Sequence, residues 1–220
     1  MPAKFLTDPG HWRQADFSRP WYTQAFKLLP EVSNNSVLEL GSGQGELADQ
    51  LKTQVESLTC SDGSSIYINK LKAKGFKVVQ ADYNHKLPFK AKQFHGAISL
   101  EVIEHLYNAE VFLKEIHRVL KPQGWLIIST PNIAWWGYRL FVLLGKPPKK
   151  EGYHLRFFTY HTFTKILKDS GFQIIKSTSF TTIPFLNPLL IYLKLKPIYP
   201  IIKIGPNLLA QDLVFLCRKK

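Results

Sequence analysis

The chain has 220 residues, 45% of them hydrophobic, which is enough for one well-buried domain and short for two. Its net charge of +13 is uneven: residues 1–109 hold 12 Lys+Arg against 11 Asp+Glu, whereas residues 110–220 hold 17 against 5. Two cysteines, Cys60 and Cys217, exclude a disulfide framework and suit buried thiols in a reducing compartment.

In chain order, the start Met1-Pro2-Ala3-Lys4-Phe5 lacks the apolar run of a secretory signal. One or two helices are expected over residues 11–29, making residues 1–32 an N-terminal helical cap. Apolar runs predict strands over 36–40, 57–61, 76–80, 94–100, 125–130, 172–178 and 213–217. Helices are expected over 46–53, over 64–74 with Ser64 or Ser65 as cap and Gly75 as stop, over 109–120, and over 159–170 ending at Gly171. The helix over 109–120 draws its apolar face from Val111, Phe112, Ile116, Val119 and Leu120. This alternation implies a single α/β domain over 33–220: a Rossmann-like, seven-stranded, mostly parallel sheet with helices on both faces. Ligands of such sheets sit at the carboxyl ends of the strands. Two stretches, 133–151 and 182–206, fall outside the pattern and read as insertions over the rim of the site. No window reaches the roughly 20 apolar residues of a membrane span. The longest candidate, 183–204, is broken by Pro184, Pro188, Pro197 and Pro200 and carries Lys194, Lys196 and Lys203.

The first strand runs into Gly41-Ser42-Gly43-Gln44-Gly45. Glycines after a strand let the backbone approach a ligand where a Cβ would collide, and the helix that follows offers free N–H groups. The spacing G-x-G-x-G is shorter than the pyrophosphate cradle of dinucleotide enzymes. Acids stand at three successive strand ends. Glu39 is placed to hold the loop or a ligand ammonium, Asp62 to accept both hydroxyls of a ribose, and Asp82 to receive an adenine amino group with Tyr83 stacked beside it.

The run Val37 to Gly45 resembles motif I of the class I S-adenosylmethionine-dependent methyltransferases. Asp62, Asp82 and Leu120-Lys121-Pro122-Gln123-Gly124-Trp125-Leu126 fall where that family has its later motifs. The resemblance spans about residues 33–180 and implies S-adenosylmethionine as methyl donor. The cofactor-binding set it implies is Glu39, Gly41, Ser42, Gly43, Gly45, Asp62, Asp82, Tyr83 and Leu100. The family's usual Gly at position 123 is replaced by Gln123, which is expected to alter only a turn.

After the fourth strand comes Glu101-Val102-Ile103-Glu104-His105. If a helical turn begins at Glu101, then Glu101, Glu104 and His105 share one face. With His154 as a further donor, these four form a candidate site for Mg²⁺, with Mn²⁺ and Zn²⁺ as alternatives. Without a metal, Glu104, His105 and His154 are the candidate catalytic residues, the histidines as general bases. The same residues also fit a helix-starting acid pair with a satisfied histidine. His11, His85, His95, His117 and His161 read as surface or packing residues. Glu-x-x-Glu-His and Ser129-Thr130-Pro131-Asn132 resemble two methyltransferase groups. One comprises the ubiquinone-biosynthesis O-methyltransferases, and the other the small-RNA 2′-O-methyltransferases.

The first insertion pairs Trp135, Trp136, Tyr138 and Phe141 with Lys146, Lys149 and Lys150. Interfacial aromatics beside lysines suit an anionic membrane surface, and they equally suit the core of a lid. Together with this insertion, the resemblance to the ubiquinone-biosynthesis group implies a small or lipophilic hydroxylated acceptor, handled in the cytoplasm or peripherally on the inner face of a membrane. Nucleic acid fits less well, since the chain has six arginines and no separate RNA-binding module. A non-catalytic partner protein on the same fold is the remaining alternative.

Overall fold

The computed structural model describes residues 20–148, 154–183, 186–203 and 205–220. Most of the expected N-terminal cap, with His11, lies outside them, as do Lys149, Lys150 and Pro184. Seven strands form one sheet: β1 (Ser36–Leu40), β2 (Ser57–Asp62), β3 (Lys77–Gln80), β4 (Phe94–Leu100), β5 (Leu120–Pro131), β6 (Phe172–Phe180) and β7 (Asp212–Lys219). Their order is β3-β2-β1-β4-β5-β7-β6. Only β7 runs against its neighbours, pairing antiparallel with both β5 and β6. The carboxyl ends of β1, β2, β4, β5 and β6 therefore share one edge. The order reverses between β1 and β4, which is the switch point where open α/β sheets bind ligands.

Alternation along β1 divides the core. Leu38 and Leu40 face one layer with Phe112, Ile116 and Phe163, while Val37 faces the other with Leu47, Leu51 and Ile98. The first layer is built by α4 (Ala109–Val119) and α6 (Tyr160–Asp169), and the second by α1 (Pro20–Leu28) and α2 (Glu46–Leu51). Both faces are covered, which is why the parallel strands read as continuous apolar runs. Helix α1 packs on the face of β6 and β7, and Thr178 donates to its Gln24.

Local chemistry sets the ends of elements. Thr159 caps α6 in a reciprocal pair with Thr162. Gly75, at φ +81°, ends α3 (Ser65–Ala73) in the left-handed conformation that glycine adopts without strain. In α4 the buried stripe is Ala109, Phe112, Leu113, Ile116 and Val119. Val111 lies off that stripe and is exposed, contrary to the expectation from sequence, because position 113 rather than 111 completes the 3–4 spacing. Gly96 leaves room for the Trp125 ring, which would lie 2.0 Å from an added Cβ.

The two irregular stretches each carry a short helix, α5 (Trp136–Leu143) after β5 and α7 (Leu186–Tyr192) after β6. A further turn, α8 (Pro206–Leu209), precedes β7. Among the described residues, no helix is long and apolar enough to cross a membrane.

Candidate functional site: glycine loop and acid–imidazole cluster

The three loop glycines all have positive φ: +79° at Gly41, +51° at Gly43 and +84° at Gly45. Their missing side chains matter in different ways. A Cβ at Gly41 would lie 2.3 Å from Val102, and one at Gly45 would lie 2.8 Å from Leu71. A Cβ at Gly43 would meet nothing within 4 Å, so this turn faces an open cradle. Gly41 and Ser42 donate their N–H groups to the Ser61 carbonyl at 2.9 and 3.0 Å, tying the loop to β2. The loop is braced from outside as well, since Lys74 donates to the Gln44 carbonyl at 2.7 Å and to Asp49 at 2.8 Å.

The acids do not all stand alike around this loop. Asp62, the last residue of β2, accepts from Gly43 N at 2.9 Å and Ser64 N at 2.8 Å. Burial holds its carboxyl above the ordinary range in spite of those bonds. Two carboxylate oxygens offer about four acceptor sites, so Asp62 retains capacity for ribose hydroxyls. Glu39 is buried beneath the loop, with Cys60 donating to its Oε2 at 3.8 Å, and burial pushes its carboxyl up to about 8. Asp82 lies in an exposed turn, where it accepts from Asn84 N and pairs with His85 at 2.9 Å. Partial burial raises its carboxyl, but these bonds outweigh that effect and hold it below the usual range.

Tyr83 departs from its expected place beside a base. Its ring is buried against Phe112, 5.3 Å between centroids, and its hydroxyl accepts from Gly41 N at 2.8 Å. It supports the glycine loop from within the core.

At the end of β4, Leu100 is buried and pairs in register with Ser129. Glu101 then takes φ +56°, in the left-handed region. Its N–H donates to Ser129 Oγ at 3.0 Å, and that hydroxyl donates back to Glu101 Oε1 at 2.6 Å. The helical turn therefore starts later, as a 3-10 turn over Ile103–His105. This corrects the four-ligand expectation. Glu101 precedes the turn and its carboxylate faces Ser129, whereas Glu104, His105 and His154 place their ligating atoms within 4.8 Å of one another. Glu104 is buried, its Oε1 lies 3.9 Å from His105 Nε2, and the His105 and His154 rings meet edge to face at 4.9 Å. Val102, which fills the space beside Gly41, joins this cluster to the loop within two residues.

A family model described as "Methyltransferase domain" matches residues 11–177, more than half of the chain. The chain belongs to the class I S-adenosylmethionine-dependent methyltransferase family. A "Probable S-adenosylmethionine-dependent methyltransferase" of Mycobacterium tuberculosis is 28% identical over 148 residues, 66% of this chain and 52% of that protein. The chain thus spans about half the length of this relative. A "Ubiquinone biosynthesis O-methyltransferase" of Bartonella bacilliformis is 25% identical over 169 residues, 72% of this chain and 68% of that protein. In fold, the chain resembles a solved Thermotoga maritima protein described as an S-adenosylmethionine-dependent methyltransferase and possible histamine N-methyltransferase. The TM-score is 0.72 at 21% identity, covering 92% of this chain and 89% of that one.

The donor end of this chain's site fits the family's cofactor. Gly43 opens a cradle at the switch point, and the acids beside it suit a cationic nucleoside. The residues that sequence reasoning missed are Val102, Lys74 and Arg156. Their contacts are long-range, and none carries a local signal beyond its residue type. Among the other histidines, His95 accepts from Ser36 N at 3.0 Å and meets Lys121 at 2.9 Å, so it links β1 to β5. Of the insertion aromatics, Trp135 and Tyr138 are buried, and Trp135 donates to Thr181 at 2.9 Å. Trp136, Phe141, Val142 and Leu143 remain exposed on α5, as do Leu189, Ile191 and Tyr192 on α7. Lys146, Lys194, Lys196 and Lys203 are exposed on the segments that follow those helices.

Proposed function

We propose that this methyltransferase moves a methyl group from S-adenosylmethionine to a hydroxyl oxygen of a small or lipophilic acceptor. The observation that carries the reading is the cluster of Glu104, His105 and His154, one contact away from the glycine loop through Val102. In the reaction the sulfur–methyl bond breaks in line as the oxygen–methyl bond forms, and the hydroxyl proton passes to an imidazole. The sulfonium supplies an activated methyl group, so the chain's main task is positioning. His105 and His154 are the bases within reach of one another, and the Glu104 carboxylate lies 3.9 Å from His105 Nε2.

The same cluster suits a divalent ion. Three donors at about 2.1 Å from one tetrahedral ion lie roughly 3.4 Å apart, so the three groups, now within 4.8 Å of one another, would close by about 1 Å around it. With Glu101 bonded to Ser129, the group of two imidazoles and one carboxylate favours Zn²⁺ or Mn²⁺ over Mg²⁺. An ion here would lower the pKa of the acceptor hydroxyl and fix its direction. The exposed apolar residues of α5 and α7, followed in the chain by exposed lysines, support an anionic membrane surface as the place where a lipophilic acceptor is met. The ubiquinone-pathway name of the Bartonella relative points to oxygen as the acceptor atom.

The test pairs two variants with two ligands. Glu104→Ala with His105→Ala abolishes methyl transfer to lipophilic phenols while calorimetry still detects S-adenosylmethionine binding. Activity that survives the double substitution removes the cluster from the chemistry. Failure of the unmodified protein to bind S-adenosylmethionine removes the reading altogether. Full recovery in the supernatant after low-salt sedimentation with anionic vesicles removes the membrane partner.

A further inference from the structure

Two members of the cluster, Glu104 and His105, stand on the 3-10 turn, but His154 belongs to no helix or strand. The chain that follows it is tied to the rest of the site. Leu155 N and Arg156 N both donate to the Glu104 carbonyl, at 2.8 and 3.0 Å. The Arg156 guanidinium continues the seam. Its Nε and Nη2 donate to the Tyr107 carbonyl at 3.1 and 2.5 Å, and its Nη1 donates to Glu110 at 3.0 Å. Phe158 closes the other end, bridging to Asn132 and accepting from Ile133 N at 2.8 Å. Residues 154–158 thus form a strap tied to β5 at one end and to the β4–α4 loop at the other. Arg156 supplies the side-chain bonds of the second tie and lines one small cavity with Glu104 and His154.

We infer that Arg156 is a positioning residue: it stitches the strap to the β4–α4 loop and so holds His154 against Glu104 and His105. This rests on reading the cluster as the acceptor end of the site. The residue type follows from the geometry. A planar fork serves a carbonyl and a carboxylate at once, which a lysine ammonium on a flexible stem does not. The Tyr107 carbonyl carries two of the three guanidinium bonds, so the ion pair with exposed Glu110 is the lesser part.

The test compares Arg156→Ala and Arg156→Lys with Glu110→Gln in the full chain. The first readout is the nuclear Overhauser effect between the ring protons of His105 and His154. The second is titration with Co²⁺ alone, followed by its absorption spectrum, and the third is calorimetric binding of S-adenosylmethionine. The ring-to-ring effect is expected in the unmodified protein and in Glu110→Gln, and is lost in both Arg156 variants. Co²⁺ affinity is expected to fall by about tenfold or more in those variants, while S-adenosylmethionine affinity changes by less than about twofold. A ring-to-ring effect that persists in a folded Arg156 variant overturns the inference. So does an equal loss of S-adenosylmethionine affinity, which marks general disruption. An unmodified protein that binds no Co²⁺ defeats the metal-assisted reading, and the ring-to-ring comparison still decides the role of Arg156. If Arg156→Ala fails to fold, Arg156→Lys, which keeps the charge and most of the stem, carries the test.

Discussion

Glu39 makes the stability of the ligand-free protein depend on pH in a way that Glu39→Gln should abolish. Glu39 is 4% exposed, and burial is the main cause that pushes its carboxyl from its ordinary 4.5 up to about 8. Below 4.5 both folded and unfolded chains hold the proton, and the folded state has its full advantage. Between 4.5 and about 8 the unfolded chain has released the proton while the folded chain keeps it, so stability falls as pH rises. At about 1.4 kcal/mol per pH unit, the loss across that window is roughly 4–5 kcal/mol. That is near the lower end of a domain's entire margin. Glu39→Gln keeps the shape and removes the ionisation. Urea unfolding followed from pH 5 to pH 8 should show the unmodified protein losing several kcal/mol and the variant staying nearly flat. Saturating S-adenosylmethionine should flatten the unmodified protein too, because a cation beside Glu39 favours the carboxylate. Parallel slopes for the two ligand-free proteins would refute the reasoning.

Gly41→Ala and Gly43→Ala should differ although both residues have positive φ. The first adds a clash with Val102 to the backbone strain and should cost about 2–4 kcal/mol in chemical unfolding. The second should cost only about 1–2 kcal/mol, yet lose S-adenosylmethionine binding by calorimetry, because its methyl enters the open cradle. Equal stability losses for the pair would contradict this. Gln123 sits at φ +60°, so Gln123→Gly should relieve left-handed strain and gain up to about 1 kcal/mol after glycine's entropy cost, read as a melting rise of about 2–4 °C. Tyr83→Phe removes one acceptor of Gly41 N, while the Ser61 carbonyl still serves that group. It should cost about 1 kcal/mol and weaken cofactor binding several-fold.

The donor half of the site was legible because its signal is local. Strand, glycines and strand-end acids follow one another in the chain, and a parallel sheet brings their ends to one edge. Gln123 was expected in a turn; it lies within β5, yet at φ +60°, the left-handed region that glycine adopts without strain. The acceptor half was legible only in its residue types. The spacing of Glu101, Glu104 and His105 suits a helix, but Glu101 takes a left-handed conformation and its carboxylate faces Ser129, so the turn starts two residues later. Periodicity carries no sign of that bond, since Ser129 stands on a neighbouring strand. Arg156 was silent for a similar reason: apart from the exposed Glu110 carboxylate, its partners are the backbone carbonyls of Glu104 and Tyr107, which carry no residue signature.

Gly41 is where the two halves depend on each other. Its missing side chain does two things: it permits φ +79°, and it leaves room for Val102. Val102 is the residue between Glu101, bound to Ser129, and the 3-10 turn that carries Glu104 and His105. Any side chain at position 41 would push against Val102 and shift that turn along with the loop. In-line transfer requires the acceptor oxygen about 3–3.5 Å from the methyl carbon and collinear with its bond to sulfur, a geometry that displacements of about 1 Å can spoil by a hundredfold. A substitution at Gly41 should therefore harm turnover beyond its effect on cofactor affinity. One at Gly43, which touches only the cradle, should harm affinity first. The separation of those two effects distinguishes a glycine that shapes the donor pocket from one that also sets the distance to the acceptor.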